Sequence, residues 1–248
     1  MNFRMIPFRY FDAFTNMALD QAIMESIQTG ESLPTIRFYG WDPSAVSIGV
    51  FQGLTDEVNL KIARQSGVDV VRRMTGGGAV YHDRLGEVTY SIMGPVGLFP
   101  SNIIQSYRLI CSDIVYALNK IGIAACFEPV NDIIVNGQKI SGNAQTRRQG
   151  ILLQHGTILY QVDVEKMFAL LNVNELKISD KLIKSVKKRV TCVSDLVDAS
   201  MEELQQALQE GFSRNRDIQF LDYNSKELAR AKDLVQEKFK TEAWNHRL

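Results

Sequence analysis

The stretch Arg72-Arg73-Met74-Thr75-Gly76-Gly77-Gly78-Ala79-Val80-Tyr81-His82-Asp83 constrains this chain more than any other. Three consecutive glycines follow a strand predicted over residues 68–72, so the spacing predicts a turn at 75–78. A glycine run lets backbone N–H groups approach an anion closely and supports the positive φ values from which an anion nest is built. Two arginines just before it add forked donors suited to phosphate. Three glycines alone would serve equally well as a tight turn beside solvated arginines. The flanking arginines and the His82-Asp83 pair point instead to a site. The run matches neither GxxxxGK[ST] nor GxGxxG, so the two nucleotide-binding folds built on those loops are not supported.

A second stretch, Asn131-Asp132-Ile133-Ile134-Val135-Asn136-Gly137-Gln138-Lys139-Ile140-Ser141-Gly142, reads as a hairpin. Asn-Gly is the strongest short hairpin signal, because a type I′ turn needs positive φ at both central residues. The turn sets Asp132 and Lys139 on opposite arms. A lysine near a hairpin tip is ordinarily solvated, and Asp132 alone is an ordinary strand-start residue. Ser141-Gly142 just beyond supplies small residues where a ligand or another backbone can come close. A third stretch, Gln154-His155-Gly156-Thr157, puts a histidine inside an apolar strand, where a hydrogen-bonded core histidine is the commoner outcome. No Ser-His-Asp or Cys-His order is evident. Of the three cysteines, Cys111 falls on the apolar face of a long predicted helix and Cys192 lies between Thr191 and Val193. Cys126 is near the hairpin, but a buried strand cysteine is inert by default.

The rest of the chain bounds the fold. Its 248 residues carry 28 Lys+Arg against 28 Asp+Glu, which argues against binding nucleic acid through an excess of basic side chains. The cysteines are sparse and lack a CxxC, and the three histidines lack an HExxH, so neither a disulfide framework nor a structural zinc site is suggested. No window approaches the ~18 apolar residues of a membrane span, and the N-terminus has no signal-like apolar run, since Arg4, Arg9 and Asp12 interrupt it. The chain reads as cytoplasmic. Helices are predicted over residues 16–28, 57–65, 102–120 (capped by Ser101), 163–171, 181–188, 200–212 and 225–239. Strands are predicted over 35–39, 45–50, 68–72, 87–93, 124–128, 132–135, from 138 onward, and over 151–160. Ser200-Met201-Glu202-Glu203 is a capping box. Residues 87–93 alternate like a strand with one buried face. Lys181, Lys184, Lys187, Lys188 and Arg189 read as a solvated helix face. Strands and helices do not alternate regularly, so the class is α+β, with a sheet-rich body and a helical C-terminal part.

Taken together, these stretches resemble the lipoate–protein ligase family of the biotin/lipoate ligase superfamily. The matching residues are Asn16-Met17-Ala18-Leu19-Asp20, Ile36-Arg37-Phe38-Tyr39, Arg72 to Asp83, Asn131-Asp132, Gly137 to Gly142 and Gln154 to Thr157, with Glu242-Ala243-Trp244-Asn245 near the end. The likeness covers essentially the whole chain. It implies a mixed, largely antiparallel sheet flanked by helices, like the catalytic domain of biotin synthetases and class II aminoacyl-tRNA synthetases. Residues 1–248 would form one catalytic domain lacking the accessory C-terminal domain of single-chain ligases.

The resemblance also implies chemistry. The family uses ATP to activate lipoate to lipoyl-AMP and passes the lipoyl group to a lysine of lipoyl domains in 2-oxoacid dehydrogenase E2 proteins or of the glycine-cleavage H protein. By that likeness Lys139 is catalytic, touching the α-phosphate and the acyl carbonyl. Gly76, Gly77, Gly78 and Ala79 supply backbone donors to the adenylate, with Arg72, Val80 and Gly142 also at the site. Arg73 pairs with phosphate, and Asp132 with Asn131 holds Mg²⁺. Tyr81, His82 and His155 wall the acyl site, and the apolar residues around 88–93 line its tunnel. A separate accessory protein is expected as a partner, with no nucleic acid and no membrane. The alternative is an ATP-independent transferase of the same superfamily, which moves octanoyl or lipoyl groups from a carrier protein through a cysteine thioester. Biotin ligase is disfavoured because a GRGR-type loop is absent. A non-catalytic adaptor is disfavoured by the intact glycine loop and Lys139.

Overall fold

The computed structural model describes residues 2–172 and 189–248. The predicted helix at 181–188, with its four lysines, lies outside the described residues. The strands are β1 (Asn2–Phe11), β2 (Thr35–Trp41), β3 (Ala45–Ile48), β4 (Asp69–Arg72), β5 (Val80–His82), β6 (Glu87–Pro95), β7 (Cys126–Glu128), β8 (Asp132–Val135), β9 (Gln138–Arg148), β10 (Ile151–Leu159) and β11 (Asp217–Phe220). Eight of them form one sheet in the order β11-β1-β2-β6-β10-β9-β8-β7, parallel across β11-β1-β2 and antiparallel from β2 onward. A smaller sheet, β4-β3-β5, carries the glycine loop between β4 and β5. The class is α+β, with a mostly antiparallel sheet flanked by helices.

Helices cover both faces of the large sheet. On one face lie α4 (Ile103–Lys120) and α7 (Met201–Ser213), packed over Phe38, Val88, Tyr90, Ile92 and Ile133. On the other lie α1 (Ala13–Gln28) and α8 (Ser225–Leu234), packed over Ile6, Tyr39, Met93 and Leu153. The remaining helices α2 (Leu54–Glu57), α3 (Leu60–Gln65) and α5 (Val164–Leu170) surround the small sheet, and α6 (Val193–Leu196) and α9 (Glu242–Asn245) are single turns. Strand β6 is therefore buried on both faces rather than one.

Other differences have local causes. Asn102, not Ser101, caps α4, its side chain accepting from Gln105 N at 3.0 Å. The predicted helix at 57–65 is split into α2 and α3, and the one at 225–239 passes from α8 into a π-turn at Val235–Phe239. Strand β1 was not expected. Arg4 breaks its apolar run in sequence but lies buried, its guanidinium paired with Glu227 of α8 at 2.6 Å and 2.9 Å. The capping box at Ser200 and Glu203 forms as predicted.

Close packing of α7 on α4 depends on Gly211. A Cβ there would sit 2.3 Å from Asp113 O and 3.1 Å from Ala117 Cβ. Alanine favours a helix over glycine by about 0.8–1 kcal/mol, but overpacking a filled core costs roughly 1–3 kcal/mol, and the clash is with backbone. Gly211→Ala should therefore lower the urea midpoint of unfolding. A raised midpoint would show that propensity wins and that the helices separate freely.

Candidate active site

A cleft of about 330 Å³ opens between the small sheet and strands β6, β9 and β10. The glycine loop forms one wall. Gly77 has φ +97°, and a Cβ at Gly49 would come within 2.1 Å of Gly77 O, so the loop lies directly on the end of β3.

Arg73 holds this loop from inside. Its Nε donates to Thr75 Oγ1 at 3.1 Å and its Nη1 to Ser47 O and Ser47 Oγ at 3.1 and 3.2 Å. Its Nη2 donates to Gly76 O and Gly78 O, both at 2.8 Å. A guanidinium has five N–H donors, and here five acceptors face them. Burial pushes the Arg73 guanidinium down to about 10. Arg72 is buried too, but away from the cleft. It donates to the carbonyls of Gly49, Val50, Gln52, Trp244 and Asn245, tying the loop after β3 to the C-terminal turn. Neither arginine offers a fork to a phosphate; both spend their donors on protein.

Both histidines at the cleft are locked. His82 Nε2 meets Ser47 Oγ at 2.8 Å and its Nδ1 meets Glu87 Oε1 at 2.7 Å. Its ring stacks on Trp41 at 4.1 Å between centroids. His155 Nε2 meets Thr75 Oγ1 at 2.7 Å and its Nδ1 meets Asp20 Oδ2 at 3.2 Å. Burial holds the His155 imidazole below its usual value, against the pull of Asp20. Asp20 in turn receives Arg37 Nη1 at 3.2 Å. Hydroxyl–histidine–carboxylate chains are thus present, although no sequence order announced them, because their members lie on different elements.

The opposite wall is the hairpin β8–β9. Asn136 and Gly137 take φ 50° and 77°, as the Asn-Gly signal requires. Lys139 Nζ pairs with Asp132 Oδ1 at 2.7 Å. The Lys139 backbone is pinned by Arg189 O at 2.8 Å and Thr191 N at 2.9 Å. A Cβ on Gly142 would lie 2.7 Å from Lys139 Cε and 2.8 Å from its Nζ, so only glycine leaves room for the ammonium. Asn131 and Asn143 exchange side-chain to backbone hydrogen bonds, and Asn143 Oδ1 accepts from Tyr90 at 2.7 Å.

Most of the residues singled out in sequence meet here. Arg73, Gly77 to His82, Asn131, Lys139, Gly142 and His155 line the cleft; Arg72, Gly76 and Asp132 do not. From β6 the lining residues are Glu87 and Thr89, because Val88, Tyr90 and Ile92 point into the core under α4. The apolar run at 88–93 therefore does not form an acyl tunnel. Among the described residues no cluster of three or more His, Cys, Asp or Glu is arranged to hold a metal ion, and the Asp132 carboxylate faces the Lys139 ammonium. Cys111 is buried and its thiol is pushed up to about 12, and burial raises Cys192 as well. Cys126, expected to be a buried strand cysteine, is exposed.

The family model of the lipoyl protein ligase A/B catalytic domain matches residues 12–213. The chain belongs to this family. Within it, the octanoyltransferase LipM of Halalkalibacterium halodurans is 32% identical, over 95% of this chain and 95% of that protein. Among solved structures, a bipartite lipoate protein ligase studied with its E2 lipoyl domain from Thermoplasma acidophilum superposes with a TM-score of 0.89 at 34% identity, covering 99% of this chain and 96% of that chain. A lipoate-protein ligase A bound with ATP gives a TM-score of 0.85 at 31% identity, covering 99% of each chain. The family membership and fold expected from the resemblance hold. The reading as an ATP-dependent ligase does not: curated relatives matched over nearly the full chain are octanoyltransferases. The ATP, Mg²⁺ and accessory-protein expectations belonged to that ligase reading. No helix among the described residues is long and apolar enough to cross a membrane.

Gly142 gives the site a direct test. Gly142→Ala should displace the Lys139 ammonium from Asp132 and cut turnover by roughly 10²-fold, the scale of losing one charge-stabilising group, while the thermal midpoint stays near that of the parent. An undiminished turnover would show that the position of Lys139 is not critical.

Proposed function

We propose that this chain is an ATP-independent acyltransferase. It takes an octanoyl group from a carrier-bound thioester on to its own cysteine, then delivers it to a lysine of a lipoyl domain. The observation that carries this reading is Cys126, the exposed member of three cysteines whose other two are buried. In the sheet register Cys126 stands opposite Ile134, which stands opposite Lys139. Cross-strand partners share a face, so Cys126 and Lys139 lie on the same side of the sheet, the side that lines the cleft. The relation of sequence to the octanoyltransferases supports the same reading, and the solved relative studied with an E2 lipoyl domain supports the class of acceptor.

The bonds balance without a nucleotide. The Cys126 sulfur forms a new thioester as the donor C–S bond breaks, and the donor thiol leaves with the proton that Cys126 gave up. The acceptor ε-amine then forms an amide, and the Cys126 thiol is restored. In both steps the acyl oxygen gains negative charge. The Lys139 ammonium, held by Asp132, supplies the opposing charge, and the backbone of Gly77 and Gly78 lines the same cleft. Two strand spacings separate the backbones of Cys126 and Lys139, about 10 Å. Strand β7 spans three residues at the end of the sheet and pairs with β8, so a small shift of this edge brings the sulfur toward the acyl group.

The test is intact-mass and peptide analysis after incubation with an octanoyl carrier protein and no ATP. The parent protein should gain one octanoyl adduct, on Cys126, and hand it to an added lipoyl domain. Cys126→Ser should lose both, and Lys139→Ala should slow both steps roughly 10²–10³-fold. Octanoyl transfer that persists in Cys126→Ser, or that requires ATP, would overturn the reading.

A further inference from the structure

Two hydrogen-bond chains leave Arg73 in different directions and end the same way. One runs from Arg73 Nε to Thr75 Oγ1, then to His155 and Asp20. The other runs from Arg73 Nη1 to Ser47 Oγ, then to His82 and Glu87. The direction of each proton follows from what each group can do. A carboxylate accepts, so each imidazole donates from Nδ1. A neutral imidazole then accepts at Nε2, and the hydroxyl beside it must donate. That leaves the lone pairs of each hydroxyl for the N–H of Arg73. Donors and acceptors then run in one consistent sense along each chain, with both imidazoles neutral.

Burial, and after it the charge of Arg73, favour the neutral imidazole at His155, against the pull of Asp20. Each ring is buried and linked to a fixed guanidinium through one hydroxyl. The far ends are anchored as well. Glu87 Oε1 also accepts from Trp41 Nε1 at 3.1 Å and Thr89 Oγ1 at 2.7 Å, and Asp20 accepts from Arg37.

The consequence falls on the glycine loop. With its Nε and Nη1 fixed, Arg73 turns Nη2 on to Gly76 O and Gly78 O. Peptide planarity then points the N–H groups of Gly77 and Ala79 away from the guanidinium. We propose that Ser47 and Thr75 are positioning residues for acyl transfer, acting through Arg73 to hold the glycine-loop N–H groups toward the acyl oxygen. The kinetic part rests on the acyltransferase reading; the proton arrangement does not.

The chain has three histidines, and His246 is exposed, so imidazole-¹⁵N spectra are simple to assign. In the parent protein, His82 and His155 should both be neutral, protonated at Nδ1 and hydrogen-bonded at Nε2. Thr75→Val should move the Nε2 signal of His155 downfield and leave His82 in place; Ser47→Ala should do the reverse. Each variant should lower kcat for octanoyl transfer by roughly 10–100-fold, the scale of losing a supporting partner, with KM for the donor little changed. Thr75→Ser should restore both the signal and the rate. Doubly protonated imidazoles, or shifted Nε2 signals with an unchanged kcat, would overturn the proposal. Absence of transfer by the parent with the expected imidazole signals would count against the acyltransferase reading alone.

Discussion

The buried guanidinium of Arg73 is the constraint on which the site depends. A charge moved out of water costs several kcal/mol unless its hydrogen bonds are replaced, and here five acceptors converge to replace them. Those acceptors come from Ser47 of β3, from Thr75 and from the glycines that follow it, so satisfying one side chain fixes the relation of the small sheet to the loop. The glycines make this possible because no Cβ intervenes: Gly49 seats the loop against β3, and Gly77 takes a φ that other residues avoid.

The two faces of the large sheet solve different problems. Under α4 and α7 the contacts are largely apolar, from Phe38, Tyr90, Ile92 and Ile133 to Leu204 and Phe212, with one neutral hydrogen-bonded run from Ser106 through Gln145 and Gln154 to Tyr90 and the ion pair of Asp113 with Arg216 at the edge. Under α1 and α8 the apolar core is interrupted by paired charges. Arg37 reaches Asn16 and Asp20 and lies 3.9 Å above the Tyr39 ring, and Arg4 pairs with Glu227. Buried ion pairs contribute little net stability but punish mispairing. Helix α1 is thus held in one register on the sheet, and through Asp20 it fixes the ring of His155 at the cleft. The apolar face supplies stability and the polar face supplies placement.

Local signals were legible in the sequence and long-range partners were not. The Asn136-Gly137 turn and the Ser200 capping box depend on residues within a few positions, and both form. The glycine run was singled out locally and Lys139 through the family resemblance, and the fold brings both to one cleft. What Arg72 and Arg73 do was hidden, because their acceptors lie on other elements; the carbonyls that Arg72 holds at Trp244 and Asn245 are more than a hundred residues away. The Thr75–His155 and His155–Asp20 contacts span 80 and 135 residues, so no spacing rule finds them. Strand β1 was missed because Arg4 looks like an interruption until Glu227 is placed beside it.

The distinction between ligase and transferase lay beyond the motifs for a physical reason. Whether an acyl group leaves phosphate or sulfur, its carbonyl oxygen gains charge at the same place, and one cation with backbone donors would serve either reaction. Motifs that serve this shared need therefore say little about the leaving group. The discriminating feature is where a nucleophile stands, and that depends on exposure rather than residue type. A cysteine in a short strand reads as core from its neighbours, but Cys126 is on the last strand of the sheet, where one side of the backbone ladder ends and the side chain meets solvent. Sheet order, a property of the whole fold, decides the exposure of a residue that the local sequence makes look buried.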